Sequence, residues 1–207
     1  MENNNNKNPV FNNTILSFIS PCPGVGKSTL CKYVSSLFGN ELHILSQDIL
    51  FGKTKDACKK FKDTIMETLE TTTDSIIIID KNNHSLPVRE ATLPLEIRKQ
   101  NRTIYIVMSH PKGKDSCKIT AYNRIAGRTN HPTLDKKDAY SAITIMARDY
   151  SPLTADEIKF SQGIINIDIT KSRLEILKYF CEQLVEYNIL EDVPTDAELE
   201  QIVKDVK

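Results

Sequence analysis

Residues 21–28 read Pro-Cys-Pro-Gly-Val-Gly-Lys-Ser and lie between an apolar, β-branched segment and a helical one. The spacing meets the phosphate-loop pattern G-x-x-x-x-G-K-[ST] except at its first position, where Pro21 stands. Gly24 and Gly26 allow a turn whose N–H groups point inward around Val25, and a helix opening at Lys27 adds its positive end. Lys27 can then reach β- and γ-phosphates, the Ser28 hydroxyl suits Mg²⁺, and Thr29 completes the nucleotide-binding stretch. A glycine turn that merely precedes Lys-Ser is the plainer alternative. With a strand before it and a helix after it, a nucleoside triphosphate site is the better reading.

The fate of the γ-phosphate depends on what stands near the loop. A GTPase switch needs an Asn-Lys-x-Asp guanine motif, and none occurs. A motor ATPase is usually larger and repeated, whereas a phosphotransferase fits the size. Such an enzyme needs a base near the acceptor and arginines over the phosphates. Asp48, in Leu-Ser-Gln-Asp beyond the second predicted strand, is the candidate base, with a turn or helix cap as its alternative use. Asp80 ends the third predicted strand, where it could hold a water on Mg²⁺. Asn82, Asn83 and His84 follow as candidate acceptor contacts or a plain polar loop, and Arg89 joins the acceptor set. Arg124 and Arg128, four apart, share one helical face, with Gly127 and Pro132 as hinges. They are either a lid over the triphosphate or an exposed basic helix.

These groups need a frame, and the apolar pattern supplies one. Strand-like segments fall at Thr14–Ser20, Leu42–Ser46, Ser75–Asp80, Thr103–Ser109 and Gly163–Ile169. The four consecutive Ile at 76–79 predict a strand buried on both faces. Helical patterns occupy Lys27–Phe38 (stopped by Gly39-Asn40), Lys55–Leu69, Ile119–Ile125, Lys137–Tyr150 and Lys171–Tyr187, and Pro194 opens a last acidic helix. In Lys55–Leu69 the apolar residues Ala57, Phe61, Ile65 and Leu69 recur four apart, one helical face. Alternating β and α predicts an α/β fold: a parallel sheet of about five strands, helices on both faces, and a helical lid. Residues 1–13, with seven Asn, read as a tail or linker; 14–190 as the catalytic domain; 191–207 as an acidic helix or linker.

The chain has 207 residues, with 27 Lys+Arg balancing 27 Asp+Glu, which argues against a wholly basic nucleic-acid wrapper. The neutrality hides segregation. Arg98–Arg148 holds eleven basic and three acidic residues, a balance of +8, while Cys181–Lys207 holds eight acidic and two basic, a balance of −6. A second basic cluster comprises Lys53, Lys55, Lys59, Lys60 and Lys62. These are solvated faces or a surface for an anionic partner. No apolar run approaches the roughly 20 residues of a membrane span, and the polar start lacks a secretory signal. Five Cys without a C-x-x-C pair suit reduced thiols in the cytoplasm or nucleus.

Taken in order, the phosphate loop, Gln47-Asp48, Asp80-Lys81-Asn82-Asn83-His84 and Arg124-Ile-Ala-Gly-Arg128-Thr-Asn130-His131 resemble the polynucleotide kinase domain of fungal tRNA ligases. The resemblance spans about residues 14–187, and Asp48 follows Lys27 by a family-like 21 positions. It implies phosphorylation of the 5′-OH of cleaved RNA, such as a tRNA 3′ exon, with Mg²⁺ and preferably GTP, ATP being possible. It also implies Lys27 and Ser28 on the donor phosphates and Mg²⁺, Asp48 as base, and Arg124 or Arg128 as the lid arginine. Lys81 replaces the expected Arg, and Pro132 replaces a polar residue. The ligase and cyclic phosphodiesterase domains of such proteins do not fit in this length, so the resemblance implies either a domain joined to them in a longer form or a stand-alone kinase. Two other readings stay open: a small-molecule or nucleotide kinase, and a non-catalytic nucleotide-binding module.

Overall fold

In the computed structural model, which describes residues 12–38, 42–52, 54–127 and 136–206, the isoleucine run lies at the heart of the sheet. Strand β3 (Ile76–Asp80) is buried at every position. It pairs in parallel with β2 (Leu42–Ser46) on one side and β1 (Thr14–Ile19) on the other. β1 continues to β4 (Arg102–Ser109), and β4 to β5 (Gly163–Asp168), giving five strands in the order β2-β3-β1-β4-β5. All pairs are parallel, so every crossover must run through a helix, which explains the βα alternation.

Side-chain alternation along β1 divides the core between the two faces. Leu16 and Phe18 point into the larger cluster, with Ile76, Ile78, Ile104 and Ile106. That face is covered by α1 (Lys27–Ser35), α6 (Lys114–Ala126), α7 (Lys136–Asp149), α9 (Arg173–Glu186) and α10 (Asp196–Asp205), through Leu30, Ala121, Ile143, Leu177 and Leu199. Ile15 and Ile79 point the other way, onto Phe61 and Ile65 of α3 (Ala57–Thr71) and onto Leu93. Ala57, Phe61 and Ile65 are the buried residues of α3, as the four-residue spacing predicts. Each such aliphatic or aromatic side chain contributes roughly 1.5–3 kcal/mol through burial.

Four short helices carry too few turns to show a period in the sequence. They are α2 (Gln47–Leu50), α4 (Leu86–Thr92), α5 (Leu95–Gln100) and α8 (Ala155–Phe160). Local chemistry makes them: Pro87 sits in the first turn of α4, and α8 is closed by a reciprocal Thr154–Glu157 capping box. Capping also moves one boundary. α9 starts at Arg173 rather than Lys171, because the Ser172 hydroxyl accepts from the Glu175 amide at 3.2 Å while Glu175 accepts from the Ser172 amide at 2.9 Å. The proposed helix stop Gly39-Asn40 lies outside the described residues.

Two further contacts tie segments far apart in the chain to the core. Asn13 is buried; its amide nitrogen donates to the Thr72 carbonyl at 3.0 Å, and its side-chain oxygen accepts from the Ser75 amide at 3.2 Å. A buried Asn must find such partners, and here they tie the chain to the start of β3. At the other end, α10 lies against α9, with Leu199 fully buried and Lys178 bonded to Asp196 at 2.7 Å.

Candidate active site

Because the sheet is wholly parallel, the carboxyl ends of all five strands open on one edge, and the segments carrying the candidate residues leave from that edge. The phosphate loop leaves β1, at the centre. Its backbone requires glycine at two positions. Gly24 has φ +78, and a Cβ there would lie 2.7 Å from Cγ1 of Ile125 on α6. Gly26 has φ +113 and is the N-cap of α1, so Lys27 is the first helical residue and is itself buried, 8% exposed. The Ser20 hydroxyl braces the turn, donating to the Cys22 carbonyl at 3.0 Å and accepting from its amide at 3.2 Å.

Ser28, one residue on, donates from Oγ to Oδ1 of Asp80 at 3.2 Å. Asp80 is buried at the end of β3, so parallel pairing alone brings the two oxygens together across 52 residues of sequence. A hydroxyl and a carboxylate side by side are the hard-oxygen donors that Mg²⁺ takes when phosphates and water fill its other positions. No group of three or more His, Cys, Asp and Glu able to hold a metal occurs among the described residues.

Asp48 stands in the first turn of α2, at the carboxyl end of β2, with its side chain exposed. The N-cap of α2 is Ser46, so Asp48 is not serving as that helix's cap. Beyond β3, the predicted acceptor residues separate into two kinds. Asn82 and His84 are half-buried, at the rim. Asn82 donates to Sδ of Met146 on α7 at 3.3 Å, and its Oδ1 has no partner among the described residues. Burial holds the His84 imidazole below its ordinary pKa, against the raising effects of the Asn82 carbonyl and Asp149, so the ring is neutral at neutral pH.

Asn83 and Arg89 do not reach outward, and this corrects their expected contact with the acceptor. Asn83 is 1% exposed, donating to Ser17 Oγ at 3.1 Å while its amide bonds to the Phe18 carbonyl. Arg89 is 3% exposed, and its fork grips Glu157 at 2.7 and 2.8 Å. The planar guanidinium satisfies a buried carboxylate and cannot leave it without stranding that charge. Lys81 also turns inward, donating to Thr92 Oγ1 at 2.9 Å over the Phe61 ring.

Arg124, on α6, donates to the Val25 carbonyl at 2.6 Å and the Ile169 carbonyl at 2.7 Å. It therefore clamps the phosphate loop to the end of β5. Arg128, with Thr129, Asn130 and His131, lies outside the described residues. Beside the loop opens a cleft of about 380 Å³, lined by Gly24, Val25, Gly26 and Thr29 and by Tyr33, Asn123, Lys171 and Arg173 among others. Those last four were not legible as site residues: Tyr33 reads as helix interior and Lys171 as a helix start. The Tyr33 hydroxyl is buried without a partner among the described residues, the one physical mark that sets it apart from core.

A parallel sheet of this order, with the phosphate loop leaving its central strand and a Ser–Asp oxygen pair beside it, defines a P-loop phosphotransferase of the kinase kind. The sequence profile of the tRNA ligase kinase domain matches residues 19–151, and the chain belongs to that family. No curated protein matches the chain in sequence. Among solved structures, a fungal RNA kinase is similar with a TM-score of 0.74 at 17% identity, covering 95% of this chain and 97% of that one. A sugar kinase from Janibacter (TM-score 0.55, 13% identity, 89% and 99% covered) and the shikimate kinase of Acinetobacter baumannii (0.51, 16%, 87% and 96%) share the fold. No helix among the described residues is long and apolar enough to cross a membrane.

Proposed function

We propose that this chain is a GTP-preferring, Mg²⁺-dependent RNA kinase that phosphorylates the 5′-OH of a cleaved RNA such as a tRNA 3′ exon, in the cytoplasm or nucleus. Joined in a longer protein to ligase and cyclic phosphodiesterase domains, it would prepare the 5′ end for sealing. The observation that carries this reading is that Asp48 and the Asn82–His84 rim follow the carboxyl ends of β2 and β3, at the same sheet edge from which the phosphate loop leaves β1. Asp48 accepts the proton as the 5′ oxygen attacks the γ-phosphorus, and the bond to the β-bridging oxygen breaks to release the diphosphate. Lys27 and the loop amides bear the negative charge that spreads over the transferring group, and Arg124 or Arg128 closes over it. Ser28 and Asp80 would hold Mg²⁺, which would supply positive charge to offset that of the donor phosphates. Asn82 and a neutral His84 orient the terminal nucleotide from the acceptor side.

Transfer of labelled γ-phosphate tests the reading, with a 5′-OH oligoribonucleotide compared against nucleosides and small alcohols, each with GTP and with ATP. RNA labelling that falls about 10²–10⁴-fold in Asp48→Ala, with donor binding kept, is the expected result. Full activity in that variant removes the base assignment; transfer confined to nucleosides or small alcohols removes RNA as the acceptor.

A further inference from the structure

A buried charge cluster stands behind the acceptor rim. Glu157, on α8, is 2% exposed and receives three guanidinium contacts: Nε of Arg89 at 2.7 Å, NH2 of Arg89 at 2.8 Å and NH1 of Arg98 at 2.7 Å. Arg98 is also buried, donating to the Tyr105 hydroxyl at 2.6 Å and pairing with Glu90. Burial alone would raise the Glu157 pKa, but Arg89, the Thr154 amide and Arg98 bring it down to about 2. A fully ionised carboxylate is thus held inside the protein between two arginines.

The far side of Arg89 faces main chain. Its NH1 donates to the Ser151 carbonyl at 3.0 Å and the Asn83 carbonyl at 3.5 Å, and its NH2 to the Pro152 carbonyl at 3.0 Å. Ser151 is bonded in turn to the acceptor rim: its amide donates to the His84 carbonyl at 2.9 Å, and its hydroxyl accepts from the Leu86 amide at 2.8 Å. Residues 83–86 and 151–152 are therefore keyed together by one planar guanidinium, whose plane is set by Glu157. The carbonyls accept from the far edge of the guanidinium, and the bidentate carboxylate opposite them fixes its plane.

We propose that Glu157 is a positioning residue for acceptor binding, acting through Arg89 to fix the Asn82–Ser85 turn so that Asn82 and His84 face the incoming 5′ end. This rests on reading that turn as the acceptor rim. Without the carboxylate, Arg89 is an uncompensated interior charge; its fork rotates outward and releases the carbonyls of Asn83, Ser151 and Pro152.

Two variants of the whole chain, Glu157→Gln and Arg89→Lys, test the claim. The second keeps the interior charge and removes the fork, so it serves if the first fails to fold. KM for a 5′-OH oligoribonucleotide is expected to rise about tenfold or more in each, since small misplacements of positioning groups cost that much. Affinity for GTP measured without RNA should stay within about twofold, because the phosphate loop makes none of these contacts. NMR titration of His84, assigned with His84→Gln, gives a readout apart from activity. Its facing groups are the Asn82 carbonyl, Asp149, Lys81 and Arg89, and release of the turn should return the hydrated imidazole toward its ordinary pKa. An unchanged RNA KM with an unchanged His84 titration overturns the proposal. So does an equal loss of RNA and GTP affinity, which would mark plain destabilisation. A wild-type chain inactive on RNA refutes the functional reading alone, and the His84 titration then decides the positioning role: a shift upholds it, no shift ends it.

Discussion

Gly24→Ala is the perturbation whose cost the structure defines most closely. The residue sits at φ +78, where an L side chain costs about 1–2 kcal/mol. The added Cβ would lie 2.7 Å from Cγ1 and 2.8 Å from Cδ1 of Ile125, and 3.2 Å from the Ala121 carbonyl oxygen. Overpacking of that kind costs typically 1–3 kcal/mol, so the two effects together reach about 2–5 kcal/mol. They fall on the contact between α6 and the phosphate loop, where Arg124 already holds the Val25 carbonyl. Either α6 shifts, weakening this clamp, or the loop opens and its amides lose their aim. Urea unfolding gives the stability part, and GTP titration by calorimetry gives the binding part. The two contributions separate in a double-mutant cycle with Ile125→Ala, which removes the overlapping carbons but leaves φ unchanged. The double variant should be less destabilised than the sum of the singles by about 1–3 kcal/mol, with GTP binding still weakened. Strict additivity, or a Gly24→Ala protein with wild-type stability and GTP affinity, would refute the claim that this close approach sets the loop.

Other expectations follow from single contacts. Asp80→Asn should keep the Ser28 hydrogen bond while raising the Mg²⁺ concentration needed for half-maximal transfer by about tenfold or more, read from a magnesium titration of activity. Tyr33→Phe removes a buried hydroxyl that lacks a partner among the described residues, so unfolding free energy should hold or rise by about 1 kcal/mol. If that hydroxyl serves the donor, GTP affinity falls in the same variant, and unchanged affinity removes Tyr33 from the cleft's binding groups. The Glu157 carboxyl, held down to about 2, favours the folded state above its unfolded pKa near 4.5. That contribution, about 3 kcal/mol, is lost as pH falls from about 5 through 2, and Glu157→Gln should flatten the slope of stability against pH there.

The sheet was legible because its signals are local. Four isoleucines in a row can be buried on both faces only in a central parallel strand, and β3 is that strand. The phosphate loop was legible for the same reason, since Gly24, Gly26, Lys27 and Ser28 act through their own backbone and side chains. The turn after β3 was legible only as a segment. Composition marks Asn82, Asn83, His84 and Arg89 alike as polar, but Asn83 and Arg89 point inward because Ser17 and Glu157 await them, 66 and 68 residues away. No local pattern reports a partner so distant. Glu157 was hidden further, since a Thr-x-x-Glu capping box already accounts for it. The cleft beside the phosphate loop was missed because Tyr33, Asn123 and Lys171 meet only when α1, α6 and the turn after β5 are folded together.

The charge of the Arg98–Arg148 segment shows how folding revises a sequence sum, and it yields a last prediction. Of its eleven cations, Arg98 is buried on Glu157 and Glu90, Arg102 donates to the Tyr187 carbonyl, and Arg124 donates to two carbonyls. Lys99, Lys118 and Arg148 pair with Glu96, Asp115 and Asp149. Lys112, on the turn that follows β4, and Lys114, the first residue of α6, are exposed at the same edge as the phosphate loop. Each phosphate that a cation neutralises on single-stranded RNA contributes about −0.7 to the slope of log affinity against log salt. The double variant Lys112→Gln, Lys114→Gln should therefore make the slope for a 5′-OH oligoribonucleotide shallower by about 1.4, measured by fluorescence anisotropy. Arg102→Gln, which removes one formal charge from the same +8 segment, should leave the slope unchanged, because the guanidinium already has an internal partner. Equal changes per charge removed at the two sites would mean that RNA responds to the summed charge of the segment, and the distinction between exposed and internally bonded cations would fall.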